Sequence, residues 1–266
     1  MSNRSGTAAL ATALRASRLD WIVPDWPAPE NVCALTTTRT GGVSAGSYAT
    51  MNLGRGRADD ALARAENQRR FEAFLPGKPV WLDQVHGVAV ATLSGSAAST
   101  WHPVADAAVT HVRGVVCAVL TADCLPVLFA DTAGTAVAIA HAGWRGLAAG
   151  VLEATVLALR DLDVSPDHLI AWLGPAIGPA AFEVGEEVRN AFCAADPDAA
   201  NCFTPHRASK WHADLYDLAR QRLLRCGVTQ ISGGGFCTFT ESSRFFSYRR
   251  ERESGRMAAA VWLART

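Results

Sequence analysis

Three short apolar segments follow one another between residues 115 and 141, and only a few turn-forming residues separate each from the next. Their sequences are VVCAVLTA (115–122), PVLFAD (126–131) and TAVAIAH (135–141). Segments of this length, rich in Val, Leu, Ile and Ala, are typical of strands buried on both faces. The chain is therefore expected to fold around a sheet whose central strands are shielded from water.

Further strand-like and helical segments alternate through the rest of the chain. The other strand-like segments are 32–39, 79–84, 87–93, 106–110, 168–175, 228–233 and 257–264. The helical segments are 7–17, 61–75, 146–162, 185–195 and 212–227. Because strands alternate with helices and several strands are adjacent, the pattern predicts the α/β (α+β) class, a single layered α/β/α domain with mixed β-sheets. We assign this domain to residues 31–266, with residues 1–30 as an N-terminal extension.

Composition argues against several kinds of partner. The formal net charge is zero, so no global field directs the chain to nucleic acid or to an anionic membrane. No apolar run approaches the roughly 18 residues of a membrane span. The seven cysteines, an odd number with no Cys-x-x-Cys pair, indicate a reduced protein, and we predict a cytoplasmic one.

Metal-binding side chains stand at the ends of three strand-like segments. They are His86 in WLDQVHG, Cys124 in LTADCLP and His141 in AIAHAGWRG. Ligands tend to gather where strands end in layered α/β sheets. Two imidazoles and a thiolate suit Zn²⁺, and three protein ligands leave a fourth position open, as in catalytic zinc sites. Their spacing alone fits equally a Cys–His hydrolytic pair or buried side chains without a chemical role.

Several longer blocks of the sequence are specific enough to compare with known families. They are TTRTGGVSAGSYATMNLG, WLDQVHG, DAAVT, LTADCLPVLFAD, AIAHAGWRG, GPAIGPAAFEVGEEV and FFSYRRERESGRMAAAVWL. Together, and in this order, they resemble the YfiH-like family, also called the laccase-domain or multicopper polyphenol oxidoreductase family, some of whose members are named peptidoglycan editing factor. The resemblance extends over about residues 32–263.

The resemblance carries expectations about the site and the reaction. It implies a single-domain α/β fold with zinc bound by His86, Cys124 and His141, which would form the catalytic centre. It implies phosphorolysis of the purine nucleosides adenosine, inosine and 5′-methylthioadenosine to the free base and a ribose 1-phosphate, with adenosine deamination as a side activity. The chain lacks the His-x-Glu…Pro-Cys-x-x-Cys pattern of cytidine-type zinc deaminases, so deamination would need a different arrangement.

Five further residues are candidates for substrate binding. Phosphorolysis needs cationic groups for phosphate, and Arg145 and Arg39 are candidates because guanidinium groups bind phosphate in a bidentate manner. Asn52 and Gln84 are expected to hydrogen-bond ribose or base. Asp123 either orients a metal ligand or accepts backbone hydrogen bonds in a turn.

Two further segments leave alternatives open. SRFFSYRRERESGR (243–256) carries five arginines, which indicates either a site for an anionic substrate or a solvated face paired with its own glutamates. NLGRGRADD (52–60) departs from the family, whose members usually have a His and a Gly where this chain has Gly56 and Ala58. This departure bears on substrate range.

Other activities remain as alternatives to phosphorolysis. A multicopper oxidase needs many imidazoles in His-x-His pairs, and this chain has seven His and no such pair, so oxidation by a single Cu²⁺ would be a side reaction. A Cys–His hydrolase with Cys124 as nucleophile and His141 or His86 as base would suit a peptidoglycan-precursor amide. A binding module without activity is the third alternative.

Overall fold

The computed structural model describes residues 6–56, 58–95 and 102–265 of the chain. Residues 1–5 of the predicted extension and Thr266 lie outside the described residues. The helices are α1 (Thr7–Ser17), α2 (Ala61–Glu72), α3 (Trp144–Ala149), α4 (Val151–Arg160), α5 (Glu186–Cys193), α6 (Leu215–Arg225) and α7 (Tyr248–Glu251). The strands are β1 (Val32–Thr36), β2 (Pro79–Trp81), β3 (Val90–Thr92), β4 (Ala107–Thr110), β5 (Val116–Thr121), β6 (Leu125–Asp131), β7 (Val137–Ala142), β8 (Leu169–Leu173), β9 (Glu183–Gly185), β10 (Phe203–Arg207), β11 (Lys210–Ala213), β12 (Gln230–Gly233) and β13 (Met257–Leu263).

The largest sheet has six strands in the order β12-β8-β6-β7-β4-β3. Its central strands β6 and β7 are antiparallel, with Val127 opposite Ala140, and every residue of both strands is buried. Parallel pairs form the two edges, β12 with β8 and β3 with β4. The sheet is therefore mixed, as the adjacent strand-like segments of the sequence predicted.

A second sheet has four strands in the order β1-β13-β5-β2. Strand β13 is antiparallel to both β1 and β5, whereas β2 runs parallel to β5. Consequently the segment at 115–122 does not join its two successors in one sheet. The short turn between β5 and β6, around Cys124, carries the chain from one sheet to the other.

The two large sheets pack face to face, and helices cover their outer faces. Leu128, Ile139 and Trp172 of the six-stranded sheet share one buried cluster with Val119 and Val261 of the four-stranded sheet. Helices α3 to α6 cover the far side of the first sheet, and α1 and α2 cover the far side of the second. The predicted layered class with mixed sheets is confirmed, and the layers run helix, sheet, sheet, helix.

The predicted helix at 146–162 is divided into α3 and α4. Gly150 separates them with a φ of 104°, a left-handed conformation that L-residues other than glycine adopt at a steric cost. Its amide caps α3 by donating to the carbonyls of Gly146 and Leu147. A continuous apolar periodicity therefore spans two helices that meet at an angle.

A small three-stranded antiparallel sheet, in the order β10-β11-β9, was absent from the sequence predictions. Its strands are only three to five residues long, and most residues of β10 and β11 are exposed or half-buried, so the apolar alternation by which strands are recognised is missing. The helix predicted from residue 212 begins at Leu215, because the side chain of Asp214 caps it by accepting from the amides of Tyr216 and Asp217.

The predicted N-terminal helix forms α1 and packs on the four-stranded sheet. Leu10 and Leu14 lie in one buried cluster with Leu35, and the Thr7 hydroxyl donates to the carbonyl of Val32 at 2.6 Å. No helix within the described ranges is long and apolar enough to cross a membrane.

Candidate metal centre and cleft

Three side chains from separate parts of the chain meet at one edge of the sheets. His86 lies in the loop after β2, Cys124 in the turn before β6 and His141 in β7. One donor atom from each lies within 4.8 Å of the other two, and Cys124 Sγ is 3.8 Å from His86 Nε2. The antiparallel register of β6 and β7 places Pro126 opposite His141 and so brings Cys124 beside this histidine.

A buried carboxylate, Asp106, holds the two histidines in relation to each other. Its Oδ1 accepts from His141 Nδ1 at 2.9 Å. The same carboxylate accepts from the backbone amides of Val85, His86 and Gly87 at 3.1, 2.9 and 2.7 Å. One fully buried side chain therefore orients the ring of His141 and the loop that carries His86.

Charge and hydrogen bonds set the ionisation of Asp106. Burial by itself raises the pKa of this carboxyl, but the hydrogen bonds from His141 and the amides of Gly87 and Val85 outweigh burial, so the pKa lies below its usual range. Because an ionised carboxylate only accepts, His141 Nδ1 carries a proton, and Nε2 is the nitrogen of this ring that would bind a metal ion after it loses its own proton.

The three side chains of this group also perturb one another. Burial raises the pKa of the Cys124 thiol, but the nearby rings of His141 and His86 outweigh burial and hold it below its usual range. Burial lowers the pKa of His141, whereas the Cys124 thiolate and Asp106 outweigh burial and raise it. The group of three thus favours a thiolate at neutral pH, which is the form that binds metal.

The three donors fit a divalent transition metal. Zinc-like ions bind imidazole nitrogen and thiolate sulfur in tetrahedral geometry, which separates two such donors by about 3.6 Å. The 3.8 Å between Cys124 Sγ and His86 Nε2 is close to this separation. Within the described residues this is the single group of three or more such side chains with donor atoms close enough to share an ion.

Two glycines of the AGWRG motif permit this close approach. A Cβ at Gly143 would lie 2.8 Å from His86 Cδ2 and 3.0 Å from Cys124 Sγ. A Cβ at Gly146 would lie 2.8 Å from the carbonyl of Gly87. Glycine is required here for space, because a larger residue would displace two of the three donors.

The group opens into a cleft of about 1170 Å³. This is large enough for a nucleoside and phosphate, since typical ligand pockets enclose about 300–1,000 Å³. Arg145 lines the cleft, and its guanidinium lies 4.5 Å from the centre of the Trp144 ring. In the part of the chain that the structure describes, no carboxylate pairs with Arg145, so its charge is available to an anionic ligand.

Two of the other predicted substrate-binding residues, Asn52 and Gln84, line the cleft but use their side chains within the protein. Asn52 donates to Asp59 and accepts from the amides of Gly54 and Arg256. Gln84 forms two hydrogen bonds with the backbone of Leu120, at 2.9 and 2.8 Å. These side chains shape the wall of the cleft.

Asp123 also lines the cleft, in a turn where its φ is 88°. Its two carboxylate oxygens accept from the hydroxyl of Thr238 at 2.6 Å and from the amide of Arg249 at 2.7 Å. Asp123 accepts one backbone hydrogen bond, but both of its partners lie more than 100 residues away in the sequence and outside its own turn, so the carboxylate ties this turn to the C-terminal part of the chain.

Arg39 lies outside the residues that line the cleft. Its guanidinium donates to the carbonyls of Ala49 and Ser242 and to the carboxylate of Glu251 at 3.0 Å. With these three partners the side chain ties the Gly-rich loop to the C-terminal segment. The proximity of Arg39 to that loop in sequence therefore does not place its charge in the cleft.

The arginine-rich C-terminal segment contributes a wall of the cleft. Arg249, Arg252 and Arg256 line it together with Tyr248 and Glu253. The other two arginines of the segment point elsewhere, since Arg244 pairs with Asp20 and Arg250 with Glu251. Three of the five arginines thus lie in the wall of the cleft, and Arg250 pairs with a glutamate of the segment itself.

The altered segment at residues 52–60 also reaches the cleft. Gly56 and Ala58 line it, and a Cβ at Gly56 would contact nothing within 4 Å. The glycine at position 56 therefore leaves open space in the wall of the cleft.

Comparison with known proteins agrees with this architecture. The family model described as "Multi-copper polyphenol oxidoreductase laccase" matches residues 33–264, so the chain belongs to this family, the YfiH-like one. Among curated relatives, the purine nucleoside phosphorylase YfiH of Escherichia coli and a purine nucleoside phosphorylase of Pseudomonas aeruginosa are each 54% identical over 244 residues. Each alignment covers 91% of this chain and 98% of the relative.

A solved structure shows the same fold. The crystal structure of a Neisseria meningitidis protein of the DUF152 family is 47% identical, with a TM-score of 0.85, and the match covers 92% of this chain and all of that one. Together with the phosphorylase relatives, this likeness identifies the chain as a phosphorylase-like enzyme of that family.

Proposed function

We propose that this chain is a zinc-dependent purine nucleoside phosphorylase that cleaves adenosine, inosine and 5′-methylthioadenosine. The observation that carries the proposal is the convergence of His86, Cys124 and His141 at one cleft. The names of the relatives support the reaction class. The donor set supports zinc, with Cu²⁺ as an alternative ion.

The reaction joins phosphate to the sugar and releases the base. A phosphate oxygen forms a bond to the anomeric carbon while the bond from that carbon to the purine nitrogen breaks, and the departing purine takes up a proton. The transition state resembles an oxocarbenium ion, so a phosphate anion held beside the sugar stabilises it, and protonation of the base assists departure.

The chain's own residues supply binding and orientation. Arg145 has no carboxylate partner within the described residues and is the candidate to hold phosphate. Tyr248 offers an aromatic face on the cleft wall for the base. The chemistry that a divalent ion supplies at such a site is polarisation of an oxygen atom or activation of water. Activated water would also account for adenosine deamination as a side activity.

Phosphate-dependent base release tests the proposal directly. Protein of known zinc content should release adenine or hypoxanthine from the three nucleosides only when phosphate is present, with a ribose 1-phosphate as co-product, as chromatography would show. Zinc-replete protein that releases no base from any of them would refute the phosphorylase assignment. Release in the absence of phosphate, with free ribose as product, would indicate a hydrolase instead.

Replacement of Arg145 by methionine should raise the KM for phosphate by about 10–100-fold, because a charge-assisted hydrogen bond contributes about 1.5–3 kcal/mol. Steady-state kinetics with phosphate varied would measure this, and the KM for nucleoside should change much less. Arg160→Met, on the exposed end of α4, is the control for loss of one positive charge. Equal effects of both variants would exclude a specific role for Arg145.

The hydrolase alternative is favoured by one specific observation. Cys124 has a thiol of lowered pKa within 3.8 Å of an imidazole, which is the arrangement of an activated cysteine nucleophile. In such an enzyme the thiolate would attack an amide carbonyl, and a histidine would protonate the departing amine. Cys124 is then a nucleophile and is not needed as a metal ligand.

Thiol alkylation as a function of pH separates these roles. In metal-free protein, labelling of Cys124 should reach its plateau below the ordinary thiol pKa of about 8.5, since the thiolate fraction rises with pH and the pKa is lowered. Cys117, fully buried with its pKa raised to about 12, should stay unlabelled. Peptide mass spectrometry would measure the extent of labelling at both cysteines. If zinc protects Cys124 from labelling and a chelator removes this protection, Cys124 is a metal ligand. If Cys124 is labelled rapidly in zinc-loaded protein, it is a nucleophile instead.

A further inference from the structure

A second pocket lies beside the active-site cleft and is strongly basic. Its volume is about 310 Å³, and Arg55, Arg64, Lys78 and His102 contribute to its wall. We call it the basic pocket. It shares Gly54 and Arg55 with the cleft, and none of its other lining residues belongs to the cleft. No described residue that lines it carries a carboxylate.

Two of these cations have no protein partner within the described residues. Neither the Arg64 guanidinium nor the Lys78 ammonium forms an ion pair or a side-chain hydrogen bond there. The Nε atom of Arg64 is buried and lacks a hydrogen-bond partner, which is unfavourable unless a ligand or water supplies one.

The carboxylates at the start of neighbouring helix α2 and within it have other partners, and Glu72 accepts from Gln68 at 2.9 Å. Asp60 caps the helix by accepting from the amide of Ala63 at 2.7 Å. Glu66 binds Arg69 and Arg70, each at 2.7 Å, on another face of the helix. Residues 57 and 96–101, outside the described ranges, are Arg and Ser-Ala-Ala-Ser-Thr-Trp, so they include no carboxylate.

Arg55 lies between the cleft and the basic pocket, where its present ion pair leaves it accessible to another anion. Its guanidinium forms an ion pair with Asp83 at 2.7 Å, and the two side chains are 42% and 50% exposed. Exposed ion pairs contribute little to stability, so a stronger anion would compete well for this arginine. An anion in the basic pocket would therefore bind groups from three segments of the chain.

We propose that the basic pocket is a separate binding site for a phosphoryl group, with Arg64 and Lys78 as its principal ligands and Arg55 as a third. Guanidinium forks bind phosphate oxygens in pairs, and an ammonium adds a point charge. The pocket is at the small end of the range for ligand sites, which suits a phosphate dianion or the phosphate end of a nucleotide. This site is distinct from the nucleoside site, and phosphate should bind there whether or not the enzyme turns over substrate.

Calorimetric titration with inorganic phosphate, in buffer free of other divalent anions, tests this site. We expect Arg64→Gln/Lys78→Gln to weaken one class of phosphate binding by about tenfold or more, an amount typical of losing charge-assisted bonds. Arg69→Gln, on the same helix and outside the pocket, is the matched control and should bind within about twofold of wild type. Lys78→Gln alone, at an exposed position, provides a second test should the double variant fold poorly.

The results separate the basic pocket from the cleft. Arg145→Met should leave this class of binding intact whether or not the phosphorylase assignment is correct. The double variant should release base with the wild-type kcat. Tighter binding of AMP than of phosphate would identify a nucleotide as the source of the phosphoryl group, and equal binding would identify free phosphate. Phosphate affinity that is unchanged in both Lys78→Gln and the double variant, or lowered equally by Arg69→Gln, would overturn the proposal.

Discussion

Replacement of Cys124 by alanine is expected to abolish both metal retention and base release. The thiolate is the single anionic donor of the group, so its loss leaves two neutral imidazoles with much weaker affinity for a divalent ion. Loss of a residue that only supports a ligand costs about 10–100-fold in metal affinity, and loss of the ligand itself should exceed this. Competition with a chelator of known affinity and nucleoside turnover would measure the two effects.

The control for this variant is Cys226→Ala. Cys226 is a half-buried free thiol at the end of α6, outside the residues that line the cleft. It should retain wild-type metal content and activity. Retention of full metal affinity by the Cys124 variant would contradict the ligand assignment, and full turnover without metal would contradict the metal-dependent mechanism.

Replacement of Asp106 by asparagine should lower metal affinity by about 10–100-fold although Asp106 is not expected to touch the ion. The amide keeps the shape of the carboxylate but loses its charge and accepts through one oxygen only. It therefore cannot serve both the donors on Oδ1, which are His141 Nδ1 and the amide of His86, and those on Oδ2, the amides of Val85 and Gly87. The free energy of unfolding should also fall, by about 1–3 kcal/mol, because buried donors are left without partners.

Asp131→Asn separates these two effects. Asp131 is a second buried aspartate that accepts from backbone amides, those of Thr135 and Ala136, but it lies far along β6 from the metal-binding group. Its variant should lose comparable stability and retain metal affinity. If both variants lowered metal affinity equally, the effect of Asp106 would be general loss of stability and not orientation of the ligands.

Sequence patterns predicted structure correctly where the composition of one short segment is enough to indicate a buried strand. The apolar segments at 126–131 and 135–141 form β6 and β7 because strands of such composition are stable only when shielded from water. His86, Cys124 and His141 could be recognised because each stands at or shortly after the end of a strand-like segment, and strand ends meet at one edge of a sheet. The short strands β9 to β11 carry no apolar alternation and were therefore missed.

The roles of polar side chains could not be predicted from short sequence segments alone. Asp106 lies in the quoted DAAVT motif, yet its role depends on His141, 35 residues away, and on a loop 20 residues away. Arg39 and Arg145 are equivalent as residue types, but Glu251 pairs with the first, and no described carboxylate pairs with the second. Whether a charged group is free for a ligand is decided by its neighbours in space.

By itself, then, the amino-acid sequence predicted the central strands, most of the helices, the family and the three residues of the candidate metal centre, because periodicity, strand ends and motif blocks are properties of short segments. Only the tertiary structure decided that β5 and β6 lie in different sheets, that Asp106 links both histidines, and that Arg145 rather than Arg39 faces the cleft. These facts depend on contacts between distant segments, whose geometry is set by how the two sheets pack.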